Sequence, residues 1–254
     1  MLTLLCSERA LNDPRSLLSF VQQLITASRI ESVLTMTLQE ELQTFAEQMS
    51  GKIPVEVRAT MVEATQQLAD SGLVENALKV GDKAPLFDLE NETGKKVALA
   101  DLLADGPVVL VFYRGGWCPY CNLELRAYQR ELDAIKAAGA TLVAISPEKP
   151  DNSLTAVEKN ELAFNVLSDT GLGVAAAYGL AFDLPDKLIP IYENFGIDLP
   201  NGNADTGWRL PIPGTYVIDT DGTIQLAHAD VDYTKRLEPA AVTSLLTELK
   251  AKAA

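Results

Sequence analysis

Two cysteines three positions apart, Cys118 and Cys121, carry the chemistry that stands out in the sequence. They lie in Trp117-Cys118-Pro119-Tyr120-Cys121, directly after a continuous apolar run (residues 108–113) and at the opening of a helical segment. At a helix start the first N–H groups have no intrahelical acceptor and the helix dipole is positive, so Cys118 is expected to ionise readily. The thiolate, not the thiol, is the nucleophile. Pro119 suits the first helical turn, where a missing N–H costs nothing. Cys121 follows one turn later, within reach of a disulfide after modest rearrangement. The reading is that Cys118 attacks and Cys121 resolves.

Two other roles for the pair compete with this one. A zinc site needs four ligands, and besides carboxylates the chain offers only Cys6 and His228. Neither is placed beside the pair by the sequence, so no metal or other cofactor is expected. Two incidental buried thiols would not need the strand–CPYC–helix setting. His228 sits between Ala227 and Ala229 on an edge-like strand. It reads as a structural or surface residue rather than a base for Cys118. Trp117 is expected to pack beside the site, and Cys6 to be a bystander.

The elements that must position the cysteines are those of an α/β domain. Residues 108–113 read as a strand buried on both faces, residues 123–138 as a helix stopped by Gly139, and residues 141–145 as the next buried strand. Residues 158–163 and 173–178 read as short helical pieces. Residues 215–219 and 223–227 flank Thr220-Asp221-Gly222 as a hairpin, and residues 239–250 close the chain as a helix with Pro239 in its first turn. Residues 180–208, rich in Pro, Asn and Gly, read as a long irregular segment of the kind that forms a functional flap or interface. Residues 1–78 are helical in pattern, with apolar residues recurring at helical spacing over 17–25, 38–49 and 57–68. The expected domains are therefore a helical extension over residues 1–78 and an α/β domain over 79–254. No internal repeat or low-complexity tract is present.

Composition excludes several functions. Of 254 residues, 21 are Lys or Arg and 35 are Asp or Glu, a net charge of −14. Nucleic-acid binding needs clustered basic side chains, and anionic membrane surfaces attract them, so both are excluded as partners. No apolar run approaches the roughly 20 residues of a membrane helix. The N-terminus lacks a basic secretory n-region. Three cysteines do not make a disulfide scaffold, and a reducing cytoplasm is the expected location. Apolar faces on the helical extension suggest docking on the α/β domain or on a second copy, as in a homodimer.

The run Phe112-Tyr113-Arg114-Gly115-Gly116-Trp117-Cys118-Pro119-Tyr120-Cys121-Asn122 resembles the peroxiredoxin-like subgroup of the alkyl hydroperoxide reductase/thiol-specific antioxidant superfamily. The resemblance includes Val80-Gly81-Asp82-Lys83-Ala84-Pro85, Ile145-Ser146-Pro147, Val166-Leu167-Ser168-Asp169 and Leu210-Pro211-Ile212-Pro213. It ends on Asp232-Tyr233-Thr234-Lys235-Arg236-Leu237-Glu238-Pro239. Residues 1–35 fall outside it, and a physiological start at Met36 would keep the family region whole. The resemblance implies a thioredoxin-like fold, a central mixed sheet flanked by helices, with an N-terminal helical extension. In such folds a cis-proline at a strand start packs against the cysteines. Pro213 is the candidate, because proline is tolerated at the start of a strand and not within it.

The same resemblance shows departures. Ordinary members carry Pro-x-x-x-Thr/Ser-x-x-Cys, whose hydroxyl helps bind the peroxide; here Val111 and Gly115 occupy those positions. The family's arginine ahead of the strand at residue 215 is replaced by Pro213. Arg114, Arg209 and Arg236 are candidates for the missing positive charge, although arginines ordinarily occupy surface or salt-bridged positions. The leading expectation is a thiol-dependent peroxidase reducing hydrogen peroxide or alkyl hydroperoxides. A Cys118 sulfenic acid would condense with Cys121, and thioredoxin or glutaredoxin would recycle the disulfide. The alternatives are a thioredoxin-like thiol–disulfide oxidoreductase and a non-catalytic redox sensor.

Overall fold

A computed structural model of the chain describes residues 36–203 and 207–253. The helical pattern over residues 17–25 and Cys6 lie outside the described residues. Three helices come first: α1 (Leu38–Ser50), α2 (Val55–Ala69) and the single turn α3 (Leu73–Asn76). The break between α1 and α2 falls at Gly51 to Pro54, where proline cannot continue a helix.

A seven-stranded mixed sheet follows, built from β1 (Asp88–Asn91), β2 (Lys96–Ala98), β3 (Val108–Phe112), β4 (Thr141–Ser146), β5 (Asn165–Ser168), β8 (Gly214–Ile218) and β9 (Ile224–Ala229). Its order is β2-β1-β5-β4-β3-β8-β9. Strands β3, β4 and β5 are parallel, whereas β1 and β8 run antiparallel to their neighbours. Two short strands, β6 (Ala181–Asp183) and β7 (Arg209–Pro211), pair separately.

Strand β3 lies inside the sheet with all five residues buried. Alternate side chains point to opposite faces of a strand. Thus Val108, Leu110 and Phe112 feed one core, while Val109 and Val111 feed the other, joined by Tyr113 just beyond the strand. The second core also holds Cys118 and Cys121 and is roofed by α5 (Pro119–Ala137) and α10 (Pro239–Ala253). The remaining helices are α4 (Leu99–Asp105), α6 (Pro150–Asn160), α7 (Gly173–Ala177), α8 (Ile189–Asn194) and α9 (Leu199–Gly202).

Two readings of the sequence need correction. The helix expected over residues 158–163 is α6, which starts at Pro150 and ends when Glu161 takes a left-handed φ of 52°. The segment 180–208 is not irregular where it is described. It contains β6, a 3-10 turn, α8 and α9 before β7. Its Leu184, Leu188, Tyr192 and Leu199 form a small core with Ala64 of α2. Helix α1 packs on α5 through Leu38, Leu42 and Ala127, and its first two N–H groups, at Leu38 and Gln39, donate to the Glu238 carboxylate.

Candidate active site

The loop from β3 to α5 is shaped by its glycines. Gly115 has φ of +148°, and a Cβ there would lie 2.3 Å from Trp117 Nε1 and 3.1 Å from the Glu148 carboxyl carbon. Only glycine leaves room for the indole and the carboxylate to close on the loop. Gly116 N–H donates to Glu148 Oε2 at 2.7 Å, and its carbonyl accepts from Asn122 Nδ2 at 2.8 Å. Asn160 of α6 holds Asn122 in turn at 2.9 Å. The loop is thereby fixed from α5, α6 and the end of β4.

Cys118 is the N-cap residue of α5 and Pro119 occupies its first turn. Both cysteines are reduced and buried, and the Cys121 thiol donates to Cys118 Sγ across 2.8 Å. Burial alone raises the Cys118 pKa. The Cys121 hydrogen bond and the charges of Arg114 and Arg236 outweigh it and bring Cys118 down to about 6. Burial, and donation to its neighbour, push Cys121 the other way, well above the usual thiol range. The pair therefore holds one thiolate and one thiol at neutral pH, the combination a nucleophile and its resolving partner require.

Two of the three candidate arginines converge on this pair. Arg114 and Arg236 are 4% and 5% exposed, against the ordinary surface preference of arginine. The Arg114 guanidinium is caged by aromatic rings, 4.3 Å from the Tyr233 centroid and 5.0 Å from that of Trp117, and it donates to Tyr192 Oη. It makes no ion pair with any described carboxylate. Arg236 donates from Nε to Glu124 Oε2 at 2.6 Å and lies 3.4 Å from Cys121 Sγ through Nη2. Arg209 is not brought to the cysteines; it pairs at 3.3 Å with Asp183, its cross-strand neighbour in the β6–β7 pair.

Pro213 is also placed differently from the expectation. All peptide bonds among the described residues are trans, so it is not a cis-proline. Its carbonyl accepts from Asp230 N–H at 3.4 Å, extending the β8–β9 pairing beyond the strand start. Pro213 lines a small cavity with Arg114 and Tyr192. His228 stands on β9 opposite Thr215, with burial lowering its pKa. Trp117 packs edge-on against Tyr192 at 5.8 Å.

Several residues of the candidate site were missed in the sequence. Glu148 and Glu124 are buried carboxyls, each raised by burial to about 7. Tyr192 arrives from the segment read as irregular. A composition pattern could have flagged Glu124, three residues after Cys121 on the buried face of α5. No sequence signal pointed to Tyr192 or Glu148.

Above Cys118 lies a cavity of about 390 Å³ walled by Phe45 and Met49 of α1, Met61 of α2, Trp117, Phe195 and Ile197. This volume is in the range of small-molecule sites and far exceeds a water-sized oxidant. Among the described residues no group of three or more His, Cys, Asp or Glu side chains is arranged to hold a metal ion. No helix among them is long and apolar enough to cross a membrane.

Comparison with known proteins points to one family. The model of the AhpC/TSA family matches residues 80–227. Peroxiredoxin Q, chloroplastic, of Gentiana triflora is 30% identical over 148 residues, 58% of each chain, so the match spans less than two thirds of that relative. Peroxiredoxin Bcp of Escherichia coli is 36% identical over 106 residues, 41% of this chain and 67% of the other. Among solved structures, peroxidoxin BcpB from Mycobacterium tuberculosis superposes with a TM-score of 0.53 at 25% identity, covering 68% of this chain and 97% of that one. Peroxiredoxin 6 of Arenicola marina shares the fold, with a TM-score of 0.56 at 18% identity over 69% of this chain and 75% of that one.

Proposed function

The chain belongs to the AhpC/TSA family, and from that premise we propose that it is a thiol-dependent peroxidase, an oxidoreductase that works through Cys118 and Cys121. The observation that carries the reading is the reduced pair itself: a thiolate-favouring Cys118 held at 2.8 Å by a thiol one helical turn away. The Cys118 thiolate attacks the terminal peroxide oxygen, forming S–O and breaking O–O, and becomes a sulfenic acid. Cys121 then attacks that sulfur and a disulfide forms with release of water. A dithiol of the thioredoxin or glutaredoxin type returns both thiols.

Hydrogen peroxide and alkyl hydroperoxides are the proposed substrates, and the size and apolar walls of the cavity support room for an organic group. Our reading of the compartment is the cytoplasm, supported by a chain with only three cysteines; a plant relative is named as chloroplastic. Val55 and Val62, apolar and exposed on α2, support association into a homodimer, checked by light scattering.

The experiment is direct. Reduced protein is mixed with hydrogen peroxide or an organic hydroperoxide, and the change in tryptophan fluorescence, from Trp117 and Trp208, is followed. Oxidation much faster than that of free cysteine is expected; a rate no faster than free cysteine overturns the reading.

A further inference from the structure

Breaking an O–O bond leaves a strongly basic oxygen, and the site must receive it. The three residues ahead of Cys118, Gly115, Gly116 and Trp117, carry no hydroxyl that could do so. A candidate donor comes from another part of the chain. Tyr192 of α8 accepts a hydrogen bond from the Arg114 guanidinium through its phenolic oxygen. A phenol can accept and donate at once. With the oxygen already engaged by Arg114, the O–H proton remains to be donated, and it has no acceptor among the described residues.

The surroundings favour donation into the cavity. Tyr192 and Arg114 line the same cavity as Cys118. Tyr192 is 4% exposed and packed against Trp117, so its ring has one orientation to present. Arg114 is buried without a carboxylate partner among the described residues, so its charge is left to the Cys118 thiolate and to any negative charge that develops in the same cavity. Accepting a bond from a cation also polarises the phenol and strengthens its O–H as a donor.

We propose that Tyr192, braced by Arg114, is the group that protonates the departing oxygen of the peroxide. The proposal rests on the peroxidase reading above. As the Cys118 sulfur attacks, the O–O electron pair leaves on the alkoxide or hydroxide. Sulfur is oxidised by two electrons and the peroxide is reduced. The Tyr192 O–H proton passes to the departing oxygen, giving an alcohol or water, and the tyrosinate left beside Arg114 regains a proton from solvent. An alkoxide is a stronger base than a phenolate, so the transfer runs downhill.

The test uses leaving-group chemistry. In Tyr192→Phe the second-order rate of Cys118 oxidation by tert-butyl hydroperoxide should fall about 100-fold, the scale for losing one preorganised donor to a developing oxyanion. With a peracid the departing group is a carboxylate, a weak base that needs no proton, and the loss should be no more than about 3-fold on the same Brønsted reasoning. The pH profile of iodoacetamide alkylation of Cys118 should not move. Equal rates for the variant and wild type, an equal fall with both oxidants, or a shifted alkylation profile each overturns the assignment. If Tyr192→Phe does not fold, Arg114→Lys carries the test. It keeps the charge but loses the planar fork, and it should show the same split between the two oxidants. A wild-type protein inert to both oxidants would instead overturn the peroxidase reading, and this assignment with it.

Discussion

Arg236 and Cys121 lie 3.4 Å apart, guanidinium to sulfur, and the same guanidinium is anchored 2.6 Å from Glu124 on the other side. The two side chains of the Arg236–Glu124 pair are each 1% exposed. Such a pair is costly to break, because removing one partner leaves the other buried and unpaired. Arg236→Met should lower stability by about 3–5 kcal/mol in chemical denaturation. It should also move the Cys118 alkylation midpoint upward from near 6, since one of the charges holding the thiolate is gone. A midpoint that stays in place would show that Arg114 and Cys121 suffice.

The pH dependence of stability follows from Glu148. Burial raises its pKa in the folded state from the ordinary 4.5 to about 7. An acid whose folded pKa is raised binds more protons folded than unfolded at intermediate pH. Its contribution is complete below pH 4.5 and is lost as pH rises through about 7. The gap corresponds to about 3 kcal/mol as an upper bound. Glu124, also raised by burial, shifts in the same direction. Glu148→Gln should therefore flatten part of the fall in melting temperature between pH 4.5 and 7. An unchanged slope counts against a protonated Glu148.

The division of labour between the cysteines is read by separating oxidation from resolution. Cys118→Ser should abolish peroxide consumption. Cys121→Ser should keep one rapid oxidation, trapped by a dimedone adduct on Cys118, yet form no intramolecular disulfide by mass spectrometry. Rapid oxidation persisting in the Cys118→Ser protein would reverse the roles.

The cavity makes a prediction about size. Met49 of α1 and Met61 of α2 form part of its wall. Met49→Trp should fill it and reduce kcat/KM for cumene hydroperoxide by about 10-fold or more, the scale set by hydrophobic pockets that discriminate by bulk. The value for hydrogen peroxide should be nearly unchanged. An equal loss for both would mean that the organic group does not enter there.

Much of this architecture was legible because burial leaves a plain mark on sequence. Strand β3 is five apolar residues in a row, and the strand–CPYC–helix order placed Cys118 at a helix start without further information. Strand β1, Asp-Leu-Glu-Asn, carries no such mark, because only its last residue is buried and it is held by pairing with β5. Helices α8 and α9 are four to six residues long and include prolines, so helical periodicity never has length to show. Arginine is a surface residue by default, and only three-dimensional convergence revealed Arg114 and Arg236 against the thiols. Arg209, with the same composition-level claim, went to the surface. Pro213 is not a cis-proline; a place at a strand start sets only a preference between isomers.

The 2.8 Å separation of Cys118 and Cys121 has a consequence for survival under oxidant stress. A sulfenic acid that must wait for a distant partner is exposed to a second peroxide and to irreversible conversion to the sulfinic acid. Here the partner is one helical turn away in the same rigid helix, and groups so held react as though present at very high concentration. On the proposed function, closure is expected to outrun the second oxidant, so repeated peroxide pulses should leave less sulfinic acid on Cys118 than on the cysteine of an enzyme with a remote resolving thiol.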